Sequence, residues 1–339
     1  MKTEAFDYEL PREFIAQHPV AERASARLLV LNRTSSRVEH RHFRDITGYF
    51  RPGDVLVLND SRVIPARLPA RKTTGGRVDL VLVEELAGGG WSCLVEGVRK
   101  ASVPVTLFVE DVPIVVNADS PFWRAEFPEG TNVFDLMARV GRMPLPHYIR
   151  RGENGDNEAD FERYQTVYAE SLGSIAAPTA GFHFTDDLIR EVRALGVEIV
   201  KVTLHIGVGT FFLIKKEQIE EHRMLGEYYR ISPDAISSIV AAKDEGRRVV
   251  AVGTSAVRTL ETAFAGTEPA ASGFTELFIY PGYEFRTVDA VITNFHLPRS
   301  TPLLLVSAFA GREQLFRCYS EAMERNYRFA SYGDAMLII

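Results

Sequence analysis

RVDLVLVEELAGGGWSCLVE, residues Arg77 to Glu96, decides how the fold of this chain is read. It holds two short β-type runs parted by Gly88-Gly89-Gly90, with no helix-period segment between them. Outward on the carboxyl side, Val103 to Val109, Pro113 to Asn117 and Phe122 to Phe127 have the same texture, split by proline and acidic turns. Five or six short strands at this spacing read as a small antiparallel barrel or sandwich. Arg67, Arg71, Lys72 and Arg77 precede or open it, either as a local basic edge or as charges that protect a sheet edge.

The flanks are different. On the amino side, Leu10 to Ile15 reads as a short helix entered through Pro11, Ala26 to Asn32 as a buried strand, and Arg37 to Phe43 as a weaker one. Asp54 to Leu58 follows a Pro52-Gly53 turn as a further strand. On the carboxyl side, Thr131 to Val140 and Asp160 to Leu172 read as helices. From Asp186 helix and strand alternate to the end of the chain. Ser232-Pro233 caps one helix, Arg248 to Val252 and Val288 to Thr293 are strands, and so is Phe274 to Tyr280. The expected fold class is α/β: a mixed α/β main domain (residues 1–62 and 146–339) with an inserted small antiparallel β-barrel domain (residues 63–145).

With 339 residues, 46% hydrophobic and 25% charged, the chain has the profile of a soluble globular protein with an ample core. A net charge of −6 argues against nucleic-acid binding through bulk charge, so any RNA contact needs a local basic face. Cys93 and Cys318 stand far apart without CxxC spacing, which suits a reducing cytoplasm. Neither a signal peptide nor a membrane span is legible, and a cytoplasmic location is expected. His40 and His42 share one face of a strand, but no third metal ligand is evident near them.

Gly173 to Thr185 (GSIAAPTAGFHFT) is a run of small residues ending on His183. Such side chains offer little packing area, so either two buried chains cross tightly here or the run walls a small-molecule pocket. Four more polar loops end predicted strands: Asn59-Asp60-Ser61-Arg62, His205-Ile-Gly207-Val-Gly209-Thr210-Phe211, Gly253-Thr254-Ser255 with Arg258, and Asn294-Phe-His296-Leu-Pro-Arg299-Ser300-Thr301. In α/β proteins ligands sit at such ends, although an Asx-type turn explains Asn59 to Ser61 equally well. Gly253-Thr254-Ser255 at a strand-to-helix junction presents N–H groups to an anion. Gly253 to Val257 lacks the closing glycine of a nucleophile elbow, no GxxxxGK loop is present, and His205 to Gly209 lacks the third glycine of GxGxxG. Gly141 to Arg151 is held extended by Pro144 and Pro146. Its Arg142, Arg150 and Arg151, with Tyr148, suit phosphate and base contacts, or else form a rigid linker with solvated charge.

These segments together resemble the S-adenosylmethionine:tRNA ribosyltransferase-isomerase family of queuosine biosynthesis. The likeness runs through FDYELP (Phe6 to Pro11), ARLLVL (Ala26 to Leu31), GDVLVLNDSRVIPARL (Gly53 to Leu68) and YQTVYA (Tyr164 to Ala169). It continues through IAAPTAGFHFT (Ile175 to Thr185), LHIGVGTF (Leu204 to Phe211), VGTSAVRTLE (Val252 to Glu261) and YPGYEF (Tyr280 to Phe285). TNFHLPRSTPLLLVSAFAG (Thr293 to Gly311) and YRFASYGDAMLI (Tyr327 to Ile338) complete it. Three positions depart from the family's usual residues: His147 stands for a proline, Arg299 often for Lys, and Leu225-Gly226 for His-Ser.

The resemblance implies transfer and isomerisation of the ribosyl group of S-adenosylmethionine onto 7-aminomethyl-7-deazaguanine at the tRNA wobble position. Epoxyqueuosine forms, and adenine and methionine leave. The partners implied are tRNA and S-adenosylmethionine, the latter as cosubstrate with no separate cofactor or metal, and the protein is expected to be a monomer. The chemistry needs a base beside the sulfonium, a proton for departing adenine, and a partner for the methionine carboxylate. His183 and His205 are the candidates for base and acid, with His296 third. Asn59, Asp60, Ser61, Arg62, Pro178, Thr179, Gly181, Gly207, Gly209, Thr210, Thr254, Ser255, Arg258, Asn294, Arg299 and Ser300 are the substrate-binding candidates. Phe182, Phe184 and Phe211 are candidates to face the sulfonium, and Arg142, Arg150 and Arg151 to bind RNA. An S-adenosylmethionine-dependent RNA methyltransferase and a non-catalytic RNA-binding protein are the alternatives.

Overall fold

ARLLVL forms β1 (Arg27–Asn32), paired antiparallel with β2 (Arg37–His42). The Pro52-Gly53 turn, with Gly53 at φ +86°, leads into β3 (Val55–Asn59), and β4 (Ser61–Val63) follows at once. Every residue of β3 is buried, because parallel strands flank it and both sheet faces are covered. The computed structural model describes residues 1–99, 103–151 and 157–339. Its chain packs as two units: Met1–Arg62, His147–Arg150 and Arg163–Ile339 make one, and Val63–Pro146 with Arg151–Glu162 the other.

The second unit is built on β5 (Arg67–Lys72), β6 (Arg77–Glu85), β7 (Trp91–Glu96), β8 (Val105–Val109), β9 (Val112–Asp119) and β10 (Phe122–Glu126). These close into an antiparallel barrel in the order β10-β7-β6-β5-β8-β9. Alternation fills its interior: Val78, Leu80 and Leu82 of β6 are buried while the residues between them are partly exposed. Closure leaves no edge, so Arg67, Arg71, Lys72 and Arg77 do not protect one. Arg67 instead pairs with Asp79 at 2.7 Å, and Arg71 stands directly opposite Arg77. Helix α1 (Val133–Val140) is capped by Asn132 and buries Leu136 and Met137.

Helix α2 (Asn157–Arg163) ends well short of the expected Leu172. Tyr164 and Tyr168 are drawn into the core of the first unit, Tyr164 against Phe182 and Tyr332, and Ser171–Ser174 becomes β11, paired with β4. Tertiary burial of two tyrosines overrides a local helical pattern already weakened by Thr166 and Val167. Then follow α3 (Asp186–Ala194, capped by Thr185), β12 (Glu198–Leu204), β13 (Glu227–Ile231), α4 (Pro233–Asp244, capped by Ser232), β14 (Val249–Val252) and α5 (Gly253–Ala263). The chain closes with β15 (Ser272–Thr275), β16 (Ala290–Asn294), α6 (Thr301–Ala310), α7 (Arg312–Glu324) and β17 (Ala335–Ile338). The expected strand to Tyr280 stops at Thr275, because the carbonyls of Thr275 and Leu277 accept from the Arg258 guanidinium instead of a neighbouring strand.

Nine strands form one mixed sheet, β15-β13-β12-β3-β14-β16-β17-β1-β2. Alternate residues of its strands feed two cores. One, with Val55, Val57 and Val291, lies under α4, α5 and α6; the other, with Leu56, Leu58 and Ile292, lies under α3. The architecture is that expected of the α/β class with a small barrel. His40 is a structural histidine, bonded to Tyr327 Oη and Glu321 Oε1, each at 2.8 Å.

Candidate active site

Strands β12, β3, β14 and β16 run parallel, so their carboxyl ends lie along one edge of the sheet. Four of the polar loops leave from those ends, and hydrogen bonds tie them together. The Asn59 amide donates to Leu204 O (3.1 Å) and Ser255 Oγ (3.0 Å), while its oxygen accepts from the N–H groups of Leu204 and Ser61. That side chain is fully buried and fully used, so it positions three loops at once. Gly173 to Thr185 crosses the same edge. Ser174 Oγ accepts from Ile206 N at 2.9 Å, and Thr179 Oγ1 donates to Asn294 Oδ1 at 3.0 Å. Gly253, at φ +87°, places the start of α5 within van der Waals reach of Ala180. Pro178 O accepts from Gly181 N to set the tight turn over Thr179–His183.

His183 ends that turn. Its Nε2 meets the Asn294 amide at 3.4 Å, its ring packs on Phe43, and it is almost wholly buried. Burial, reinforced by the cations of Arg328 and Arg23, lowers its pKa to about 3, so it is neutral across the physiological range. A cleft opens beside it, lined also by Arg23, Arg163, Ser331 and Tyr332.

His205 has different surroundings. Its imidazole lies flat against Gly173, whose φ of +143° and lack of Cβ make the approach possible: a Cβ there would sit 2.9 Å from two ring atoms. Nδ1 is buried with no hydrogen-bond partner, and the ring stacks on Tyr228 at 6.1 Å and 21°. Burial lowers the His205 pKa, opposed by the Asp60 carboxylate and aided by Arg230. Asp60 accepts from Thr203 Oγ1 at 2.7 Å and lies within electrostatic reach of both His205 and Tyr168. Nearby, Tyr168 Oη and Thr166 Oγ1 are buried without partners, and a Cβ on Gly181 would sit 2.0 Å from Tyr168 Oη and 2.7 Å from Thr166 Cγ2. Ser61 Oγ is likewise buried and unpartnered. Ser61 Oγ, Thr166 Oγ1, Tyr168 Oη and His205 Nδ1 are thus four buried polar atoms with hydrogen-bonding capacity left over.

Other candidates stand elsewhere. Thr293 and Asn294 point to opposite faces of β16, and His296 Nε2 bonds to Thr293 Oγ1 at 2.7 Å, so the sheet separates His296 from His183. The His296 N–H donates to Tyr319 Oη, and burial lowers its pKa to about 3. The Arg258 guanidinium is enclosed by Glu227, Leu277 O and Thr275 O, which leaves it no anion to bind. Glu227 also accepts from Gly207 N at 2.8 Å, tying the loop after β12 to α5. Thr210 Oγ1 donates to Gly207 O within that loop, Gly209 packs on Leu225, and Ser255 serves Asn59, while Thr254 is half-buried at the start of α5. Arg299 pairs with Asp7, Ser300 caps α6, and Arg62 is exposed. Phe182 borders the cleft, Phe184 is core against Phe43, and the side chain of Phe211 lies outside the described residues. Arg142 and Arg150 are exposed, whereas Arg151 holds the buried Asp160 carboxylate in a bidentate pair at 2.7 and 2.8 Å. Among the described residues no three His, Cys, Asp or Glu side chains group closely enough to hold a metal ion. Glu227, Thr166 and Tyr168 escaped the sequence reading. Only their proximity in space reveals them, because none sits in a glycine-hydroxyl loop.

The chain is thus of the α/β class with a closed six-stranded barrel, and its polar loops are bonded together at the carboxyl edge of the parallel strands, where α/β enzymes bind their ligands. The family model described as queuosine biosynthesis protein matches residues 3–338, and the chain belongs to that family. It is 49% identical over 348 residues to the S-adenosylmethionine:tRNA ribosyltransferase-isomerase of Thermotoga petrophila, with 100% of each chain covered. It is 50% identical over 347 residues to that of Geobacter metallireducens, again with 100% of each chain covered. The crystal structure of the S-adenosylmethionine tRNA ribosyltransferase of Thermotoga maritima is similar at a TM-score of 0.57 and 39% identity, covering 99% of this chain and 100% of that one.

Proposed function

We propose that this protein is an S-adenosylmethionine:tRNA ribosyltransferase-isomerase, acting on tRNA that carries 7-aminomethyl-7-deazaguanine and releasing adenine and methionine. Full-length likeness to relatives bearing that name supports the reading. The observation that carries the site assignment is His205. It is half-buried, burial lowers its pKa, its orientation is set by Gly173, and Asp60 lies within electrostatic reach to favour its protonated form.

His205 is the base that takes a proton from the carbon next to the sulfonium. Asp60 favours the imidazolium that results, so the proton transfer does not strand a charge in a dry site. The orphaned hydroxyls of Tyr168, Thr166 and Ser61 are the hydrogen-bonding groups for the ribose and adenine. His183, held neutral by burial and the cations of Arg328 and Arg23, orients substrate at the turn over Thr179–His183. S-Adenosylmethionine is consumed as cosubstrate, and tRNA phosphates are met by Arg142 and Arg150. Cys93 and Cys318, both buried free thiols, suit a reducing compartment such as the cytoplasm.

The test is to incubate the protein with precursor tRNA and labelled S-adenosylmethionine and to identify the small products by mass. Adenine with methionine is expected. S-Adenosylhomocysteine would show a methyltransferase, and no turnover with retained tRNA binding would show a non-catalytic RNA-binding protein.

A further inference from the structure

The third of the sheet beyond β12 carries aromatic rings on a face that no helix covers. Phe274 of edge strand β15 is 71% exposed, and its cross-strand partner Tyr228 of β13 is 38% exposed. Their rings meet edge to face at 5.7 Å, and Tyr228 stacks in turn on His205 at 6.1 Å and 21°. His205 N donates to Tyr228 O, so the three rings stand side by side across β12, β13 and β15. The row therefore begins at the proposed base and runs outward to solvent. Gly226, two residues before Tyr228 on the same face, leaves the edge of the Phe274 ring open. Arg230, two residues after Tyr228, is exposed on that face. Lys201 of β12 is there too, paired with Glu170 at 2.8 Å, and Glu276 lies near Gly226.

So exposed a phenylalanine on an edge strand is an aggregation liability unless something covers it. Continuity with His205 and the positive charge of Arg230 point to the occupant. We infer that the row His205, Tyr228 and Phe274 is a stacking track for an unpaired nucleobase adjacent to the reacting one in the RNA substrate, with Arg230 on its phosphate. This rests on the reading that His205 works at the centre where S-adenosylmethionine reacts with an RNA-borne acceptor. Aromatic faces accept any base, so the track adds affinity and orientation rather than sequence selection.

The test uses the full-length chain and two variants at the outer end of the row, Phe274→Ala and Phe274→Trp. Phe274→Ala is expected to raise the Michaelis constant for precursor tRNA about tenfold, while that for S-adenosylmethionine moves less than about twofold. Phe274→Trp restores tRNA use, and its added fluorescence is quenched by a stem-loop RNA but not by a fully paired duplex of the same length. Arg230→Gln lowers the slope of log affinity against log salt by about 0.7. An unchanged tRNA constant in Phe274→Ala, or indole emission indifferent to the stem-loop, overturns the proposal. So does a wild-type dimer in sedimentation that Phe274→Ala dissolves, because the face is then an interface between copies of the chain. Quenching by stem-loop RNA is read without turnover, so failure of the ribosyl-transfer reading is told apart from failure of the track.

Discussion

His183 and His205 both end up at the same sheet edge, each next to loops of glycine, proline and hydroxyl residues, and they differ in what encloses them. His183 is almost wholly buried against Phe43 and Asn294, and burial with Arg328 and Arg23 pushes its pKa down to about 3. His205 keeps one nitrogen without a partner, lies on a glycine rather than a side chain, and has a carboxylate close by. A buried imidazole with cations for neighbours is suited to holding geometry, since a proton arriving there meets no compensating charge. An imidazole with an unpartnered nitrogen and an anion nearby is better suited to accepting a proton and releasing it. On the proposed reading the first does scaffold work and the second transfers the proton.

The largest effect should come from His205 itself. His205→Ala is expected to lower adenine release by about a hundred- to ten-thousandfold while the thermal midpoint stays close to wild type. If His205→Ala and His183→Ala both turn over near the wild-type rate with intact folding, the contrast between them is wrong. Glu227→Ala comes next, because it strands the buried Arg258 guanidinium and frees Gly207. A loss of about 3–5 kcal/mol in urea unfolding is expected, and a loss under 1 kcal/mol would mean that the pair does not hold the loop after β12 in place. Gly173→Ala should cost about 1–3 kcal/mol, since it combines positive φ with a clash on the His205 ring. Its effect on adenine release should exceed its effect on stability, and the reverse order would show Gly173 to be merely a packing residue.

The smallest effect at any single step is the pH dependence of stability. His183 is depressed from an ordinary 6.5 to about 3, so the unfolded chain binds a proton there that the folded one refuses. Its contribution is fully present above about pH 6.5 and is lost as pH falls towards about 3, by at most about 1.4 kcal/mol per pH unit. Denaturant midpoints at pH 7, 6 and 5 read the slope, and His183→Asn should flatten it. Replacing His205, whose pKa burial lowers against the opposing pull of Asp60, should flatten the slope in the same direction but by less. An equal flattening by both replacements would erase the distinction.

Much of this was legible along the chain. VLVLN and RVVAV announce strands buried on both faces, and Arg77 to Phe127 announces a barrel by its short runs and glycine turns. That glycine and hydroxyl residues gather at the ends of the parallel strands was readable as well, whereas the engagement of His296, Arg258 and Arg299 elsewhere was not. Other features were not. Asp160 to Leu172 has the period of a helix, yet Tyr164 and Tyr168 are worth more in the core than in α2. His296 matches His183 in its sequence setting, and only the pleat of β16 puts them on opposite faces. Arg258 looks like an anion site until Glu227, 31 residues away, is seen to hold it.

The sequence by itself determined the class of fold, the edge at which a ligand is expected, and the family. Those depend on local propensity and on the pattern of apolar and small residues, which each segment carries in its own composition. Which histidine is open, which arginine is already bound, and that Phe274 and Tyr228 extend a row from His205 were decided only by tertiary structure. Burial, partner choice and pKa depend on what lies within a few ångströms, and those neighbours come from strands and loops far apart along the chain.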